Sequence, residues 1–146
     1  MTSELLKLFK RDLEKLITEL EAYPSEESLW HVSGEIKNSG GNLVLHLIGN
    51  LNHFIGVKLG GTDFIRDRDS EFALKNVPRA EIIEKLRDTL AVLETTLPKL
   101  EAATLEQTYP LEVMGYPMST GYFLIHLYGH LSYHLGQVNY HRRLLK

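Results

Sequence analysis

The sequence predicts an all-α fold, a four-helix bundle whose helices are joined by long crossover links. Three observations lead there. Four stretches carry apolar residues at helical spacing, clear stop signals separate them, and no stretch alternates convincingly as a strand. At 146 residues the chain fits one domain, residues 1–146, and is long enough to bury a sizeable core.

The first helix opens at Thr2 or Ser3, either of which suits an N-cap, and ends before Pro24. Leu5, Leu6, Phe9, Leu13, Leu16, Ile17 and Leu20 trace its apolar face. Residues 25–39, with Trp30, His31, Gly34 and Asn38, form an irregular connection. A second helix starts near Ser39 and runs through Leu43, His46, Leu47, Asn50, Leu51, Phe54 and Ile55 to the stop at Gly60-Gly61. A polar link follows from Thr62 to Pro78, and links this long in small domains are often functional. The third helix begins near Arg79 and buries Ile82, Ile83, Leu86, Leu90, Leu93 and Leu97, with Pro98 kinking or ending it. Residues 105–118 are rich in turn formers, and Tyr109–Val113 is expected to pair locally. Ser119 or Thr120 then caps the fourth helix.

Composition narrows the function. A net charge of −3 gives no basic footprint for nucleic acid, and no Lys/Arg-rich amphipathic face suggests a membrane surface. Cysteine is absent, which excludes disulfides, thiolate ligands and a cysteine nucleophile. Neither a signal-peptide pattern nor an apolar run of about 18 residues appears, so a cytoplasmic location is expected.

Four of the seven histidines lie in the fourth helix, at His126, His130, His134 and His141. The first three are four apart, so neighbours are about 40° apart around a helix and about 6 Å along it. Two such imidazoles can close on one metal ion. Three cannot, because His126 and His134 are about 12 Å apart along the axis while a metal–nitrogen bond is about 2.1 Å. One pair plus a ligand from another helix is the natural arrangement, and spacing alone leaves open which pair. His46, among leucines on the second helix, faces the interior, where a buried imidazole needs partners for its nitrogens. His53, two turns further on, is the fallback ligand or a group facing substrate. Gly49 leaves room for close approach. Asn50 points the same way as His46, towards a ligand or across the bundle.

The string His130-Leu131-Ser132-Tyr133-His134-Leu135-Gly136-Gln137 resembles the H-x-x-x-H-x-G-Q signature of the DinB/YfiT-like metalloenzyme superfamily, and His46-Leu47-Ile48-Gly49-Asn50 resembles that family's first histidine. The likeness extends along essentially the whole chain. It implies a four-helix bundle with a three-histidine site for a divalent metal, zinc or nickel, with His46, His130 and His134 carried over as ligands. It also implies a homodimer. In better-known relatives the metal serves thiol-dependent transfer or isomerisation with bacillithiol, mycothiol or glutathione.

Three neutral imidazoles leave a metal cationic with an open position, as in catalytic sites. Such an ion activates water or a thiol, and without cysteine the thiol must come from a low-molecular-weight cosubstrate. His126, His53 and Glu71 are the candidates for a general base. Gln137 and Asn50 are placed to orient a ligand, and Tyr133 and Tyr140 to pack the pocket wall. Arg66 and Arg68 suit an anionic substrate, although alternating charges in a loop are usually solvated. His141-Arg142-Arg143 complements the helix dipole. The expected function is a metal-dependent thiol S-transferase or hydrolase acting on a small electrophile. The alternative is a non-catalytic metal-binding or metal-free bundle.

Overall fold

The structure, a computed structural model, describes residues 1–145. Helix α1 covers Thr2–Ala22, and a 3₁₀ turn follows at Glu27–Trp30. Helix α2, Gly40–Leu51, continues into a wider π-helical turn at Asn52–Val57. The short α3, Arg68–Ala73, precedes α4, Arg79–Thr96, which ends in a 3₁₀ turn at Leu97–Lys99. A second short helix, α5 (Ala102–Glu106), leads to α6, Thr120–Leu144. No strand occurs among the described residues; one isolated bridge joins Thr108 and Ser119. No described helix is long and apolar enough to cross a membrane.

The four long helices close on one core. α1 lies against α6 and α4, while α2 lies against α6, α4 and α3. The predicted stripes are what meet there: Phe9, Leu13, Leu16 and Leu20 from α1, Leu47 and Leu51 from α2, Ile82, Leu86 and Leu93 from α4. α6 adds Phe123, Leu124, Leu127 and Leu131. Each fully buried side chain of this kind stabilises the fold by about 1.5–3 kcal/mol, so truncating one, such as Leu47→Ala, costs about 2–5 kcal/mol.

Two helix starts obey the sequence. Ser39 Oγ accepts from Asn42 N at 3.2 Å, and Ser119 Oγ accepts from Tyr122 N at 3.1 Å. The first helix departs from expectation. Its N-cap is Met1, and neither Thr2 nor Ser3 caps it with a side-chain bond, because helical geometry already includes both. The link from Thr62 to Pro78 contains α3, and residues 100–107 contain α5. Helices this short are unstable alone and are held by tertiary contacts. The Tyr109–Val113 segment does not pair within itself. Tyr109 N donates instead to Met118 O at 2.9 Å, and Tyr109 Oη donates to Phe54 O at 2.5 Å, which ties this loop to the end of α2.

Asn42 staples α3 to α2. Its Nδ2 donates to Glu71 O at 3.0 Å and Leu74 O at 2.8 Å; its Oδ1 accepts from Lys75 Nζ at 2.5 Å and Ser39 Oγ at 2.8 Å. The π-helical turn begins where Asn52 Nδ2 donates to Ile48 O at 2.8 Å and to Thr89 Oγ1 on α4 at 2.9 Å. A side chain inserted into a helix ladder is a recognised cause of such irregularity.

His141 also departs from its expected role. It is buried, donating from Nε2 to His31 O at 2.8 Å and accepting at Nδ1 from Tyr23 Oη at 2.7 Å. It clasps the ends of α1 and α6 to the first connection. Tyr133 and Tyr140 are each 66% exposed, outside the core, because α6 turns this face away from the other helices.

Candidate metal centre

α2 and α6 bring three imidazoles face to face. His46 Nε2 lies 3.2 Å from His130 Nε2, and His134 Nε2 lies 3.1 Å from the same atom. Among the described residues, His46, His130 and His134 are the one group of three histidine, aspartate or glutamate side chains whose donor atoms converge in this way, all within 4.8 Å of one another. Nitrogens bound tetrahedrally to one ion at about 2.1 Å stand roughly 3.4 Å apart. The separations match that geometry.

The hydrogens decide what the cluster is suited to. His46 Nδ1 is 3.0 Å from Glu71 Oε1. A carboxylate only accepts, and at 3.0 Å it is nearer than the donor Arg66 Nη2 at 3.4 Å, so Nδ1 carries the hydrogen and Nε2 presents a lone pair. His134 Nδ1 is 2.7 Å from Gln137 Oε1, and the same logic leaves its Nε2 bare. His130 Nδ1 is buried without a partner, so this ring's polar contacts are all on its Nε2 side. A hydrogen on His130 Nε2 reaches one neighbouring lone pair and leaves the other facing nitrogen. A cation among the three nitrogens satisfies all of them at once, so the residues present fit a divalent metal.

Burial, then the positive potential of His134, His46, His126 and Arg66, pushes His130 down to about 4. Burial also lowers His134, with the Gln137 bond opposing and His46 adding to the effect. These two rings are therefore neutral at pH 7, the form a metal requires.

Of the three base candidates, Glu71 is the one tied most firmly into the scaffold. It is 6% exposed and fully engaged: Arg66 Nε donates to its Oε2 at 2.8 Å and Arg66 Nη2 to its Oε1 at 2.9 Å, beside the His46 bond. Burial alone would raise its pKa, but the His46 and Arg66 hydrogen bonds and the Arg66 charge hold it below the ordinary carboxylate value. It positions His46, and its three hydrogen bonds hold it towards Arg66 and His46 rather than among the residues that line the cavity beside them. Gly49 makes the seat. A Cβ there would stand 1.7 Å from Glu71 Oε2 and 2.6 Å from its Cδ.

The other expected residues separate clearly. Gln137 orients His134. Asn50 is buried beside His46 with its Oδ1 unpartnered. His126 stacks at 6.5 Å on His130 and lines a cavity of about 270 Å³ together with His46, Asn50 and His130. His53 lies apart, half-buried against Phe54 and outside both the cluster and this cavity. The sequence did not single out Phe72, whose ring packs on His46 at 4.9 Å. Its only signal was an apolar residue inside a charged link.

An all-helical bundle with three histidines facing one another from two of its helices defines the class: this is a DinB-like fold. The structure resembles a conserved protein from Enterococcus faecalis with a TM-score of 0.79 at 14% identity, covering 99% of this chain and 96% of that one. It also resembles a DinB-like protein from Bacillus cereus with a TM-score of 0.71 at 17% identity, covering 96% of this chain and 89% of that one. At such identities the likeness establishes the fold alone. The chain belongs to the DUF1572 family, described as proteins of unknown function, which it matches over residues 2–146. No curated protein matches the sequence.

Proposed function

We propose that this chain is a divalent-metal-dependent enzyme in which His46, His130 and His134 hold zinc or nickel, and that it transfers a thiol to, or hydrolyses, a small electrophile. The observation that carries the reading is the convergence of three Nε2 atoms with two of the rings locked at Nδ1 by Glu71 and Gln137. When bound, a divalent cation supplies the Lewis acidity that makes water or a thiol nucleophilic near neutral pH. A transferred thiol comes from a cosubstrate, since the chain has no cysteine.

The chain's own groups do the rest. Glu71 keeps the hydrogen on His46 Nδ1, and Arg66 neutralises that carboxylate so that the site stays cationic. Asn50 Oδ1 offers an acceptor to a ligand hydroxyl or amine in the cavity. His126, on the cavity wall, is the imidazole placed to take a proton from substrate. A catalytic role is favoured over a structural one because two of the three rings, His130 and His134, are only partly buried and His130 borders the cavity.

The test is metal content of untagged protein together with chelation. One equivalent of metal is expected, and its removal should leave the bundle folded, whereas a structural ion would take much of the thermal stability with it. His130→Ala should lose the metal, while His141→Ala should keep it and lose about 2–3 kcal/mol of stability through its orphaned partners. Equal metal retention in both variants rejects the ligand assignment.

The homodimer that the family resemblance implies has a candidate surface on the outer side of α6. Tyr122, Ile125, Tyr133 and Tyr140 are exposed there at spacings of three, eight and seven residues, and Gly129 and Gly136 meet nothing within 4 Å. A second copy's α6 fits this face as an antiparallel or parallel seam. Tyr133→Glu should convert dimer to monomer by light scattering; a monomeric wild type rejects the assignment.

A further inference from the structure

The cavity beside the three histidines is lined by side chains of two kinds. Phe54, Met114 and Phe123 are among its apolar residues, and Arg66 and Arg68 are its cations. No aspartate or glutamate lines it. Glu71, the carboxylate just behind His46, is already consumed by Arg66 and His46. Arg66 spends Nε and Nη2 on Glu71, and its Nη1 makes no hydrogen bond among the described residues. Its guanidinium lies 5.6 Å from the Phe54 ring centroid. The Arg68 guanidinium makes no hydrogen bond or ion pair among the described residues and rests 5.4 Å from the centroid of Phe72, the ring that packs on His46. Arginine is the side chain best matched to a carboxylate, through its planar fork. Asn50, nine-tenths buried and also lining the cavity, leaves Oδ1 unpartnered.

We infer that the ligand of this cavity is a small organic carboxylate with an apolar or aromatic body, held at its charged end by Arg68 with help from Arg66 Nη1. The inference rests on the proposed function for its place next to a reactive centre, but its recognition chemistry is the protein's own. The volume, about 270 Å³, admits a single ring with a short substituent. The ring packs on Phe54 and Phe123, and Asn50 accepts from a hydroxyl or amine if the ligand carries one. A neutral analogue of the same shape keeps the apolar contacts and loses the charge-assisted bonds, which are about twice as strong as neutral ones.

Benzoate and benzamide test this directly, since they share a ring and differ in charge. Their binding is measured by calorimetry and by chemical-shift titration on zinc-loaded and on metal-free protein, with the zinc content of each sample determined separately. Benzoate should bind about tenfold or more tighter than benzamide. Arg68→Met should abolish that preference while leaving benzamide binding unchanged, and Arg68→Lys should retain part of it. Arg68 is exposed, so the variant is expected to unfold like the wild type. Equal binding of the two probes, or a benzoate preference that survives Arg68→Met, overturns the inference. The second result would mean that benzoate is held by the metal alone. Full zinc loading without a preference sinks the carboxylate site and leaves the metal proposal standing. An Arg68-dependent preference in protein that takes up no zinc does the reverse.

Discussion

A methyl group at position 49 would arrive 1.7 Å from Glu71 Oε2, so Gly49→Ala must move that carboxylate. The Glu71 carboxylate is the end of a flexible side chain, and an exposed one would swing aside at little cost. This one makes three hydrogen bonds at 2.8, 2.9 and 3.0 Å, to Arg66 twice and to His46 once. Expelling it leaves the mostly buried Arg66 without its counter-ion, a loss of about 3–5 kcal/mol. Alanine in a helix interior returns about 1 kcal/mol over glycine. The net loss is about 2–4 kcal/mol, or roughly 5–15 °C in melting temperature for a chain of this size. Freed from Glu71, His46 loses its fixed tautomer and orientation, and removing such a partner lowers metal affinity by about 10–100-fold. Thermal unfolding and zinc competition against a chromogenic chelator read the two effects. Gly129→Ala is the control: nothing lies within 4 Å of its added Cβ, so it should gain up to about 1 kcal/mol. If Gly49→Ala binds zinc and melts like the wild type, Glu71 does not position His46 and the account of the site is wrong.

Two further expectations concern the scaffold. Asn42→Ala removes three hydrogen bonds that hold residues 71–75 to α2, and a fourth to Ser39 within the α2 cap, so it should destabilise the protein by about 3 kcal/mol or more in denaturant titration and weaken zinc binding through Glu71; an unchanged zinc affinity would show that α3 does not need the staple. Glu19 is held below the usual carboxylate value of 4.5, with burial opposing and the Arg142 and Asn139 hydrogen bonds prevailing. Its contribution is therefore fully present above about pH 4.5 and lost as pH falls through the lowered folded value. Glu19→Gln should cost about 1 kcal/mol at neutral pH and progressively less as pH falls below 4.5, read from stability curves across the acid range.

Local rules explain what the sequence revealed. Ser39 and Ser119 were legible as caps because capping needs only a hydroxyl just before an apolar period. The buried stripes of α1, α2 and α4 follow from spacing alone. Arg66 and Glu71 were illegible for the opposite reason. In Arg66-Asp67-Arg68-Asp69-Ser70-Glu71 the charges alternate in sign through Asp69 and another acid follows at Glu71, so nothing local says which pair turns inward. That choice is made 17 to 25 residues earlier, by the open seat at Gly49 and the hydrogen on His46. A glycine in an otherwise apolar helix, three residues after a buried histidine, was the one available signal that something polar packs there. His141 misled because Arg142 and Arg143 make a complete helix-dipole argument without it. Its true partners, Tyr23 and His31, lie more than a hundred residues away.

The two outer histidines are oriented by different means, and this has a consequence for how the site tolerates change. His134 takes its acceptor from Gln137, one turn along the same helix and exposed to solvent, so its orientation is settled within α6. His46 takes its acceptor from a link some twenty residues away, held in turn by Arg66, Asn42 and the gap at Gly49. Damage at Gln137 therefore stays local, whereas damage anywhere along residues 62–75 reaches His46 through Glu71. The same link carries Arg68 to the cavity. One crossover segment thus fixes one of the outer rings, His46, and also presents the charge that a substrate would meet, so changes there alter reactivity and recognition together while the α2–α6 frame stays in place.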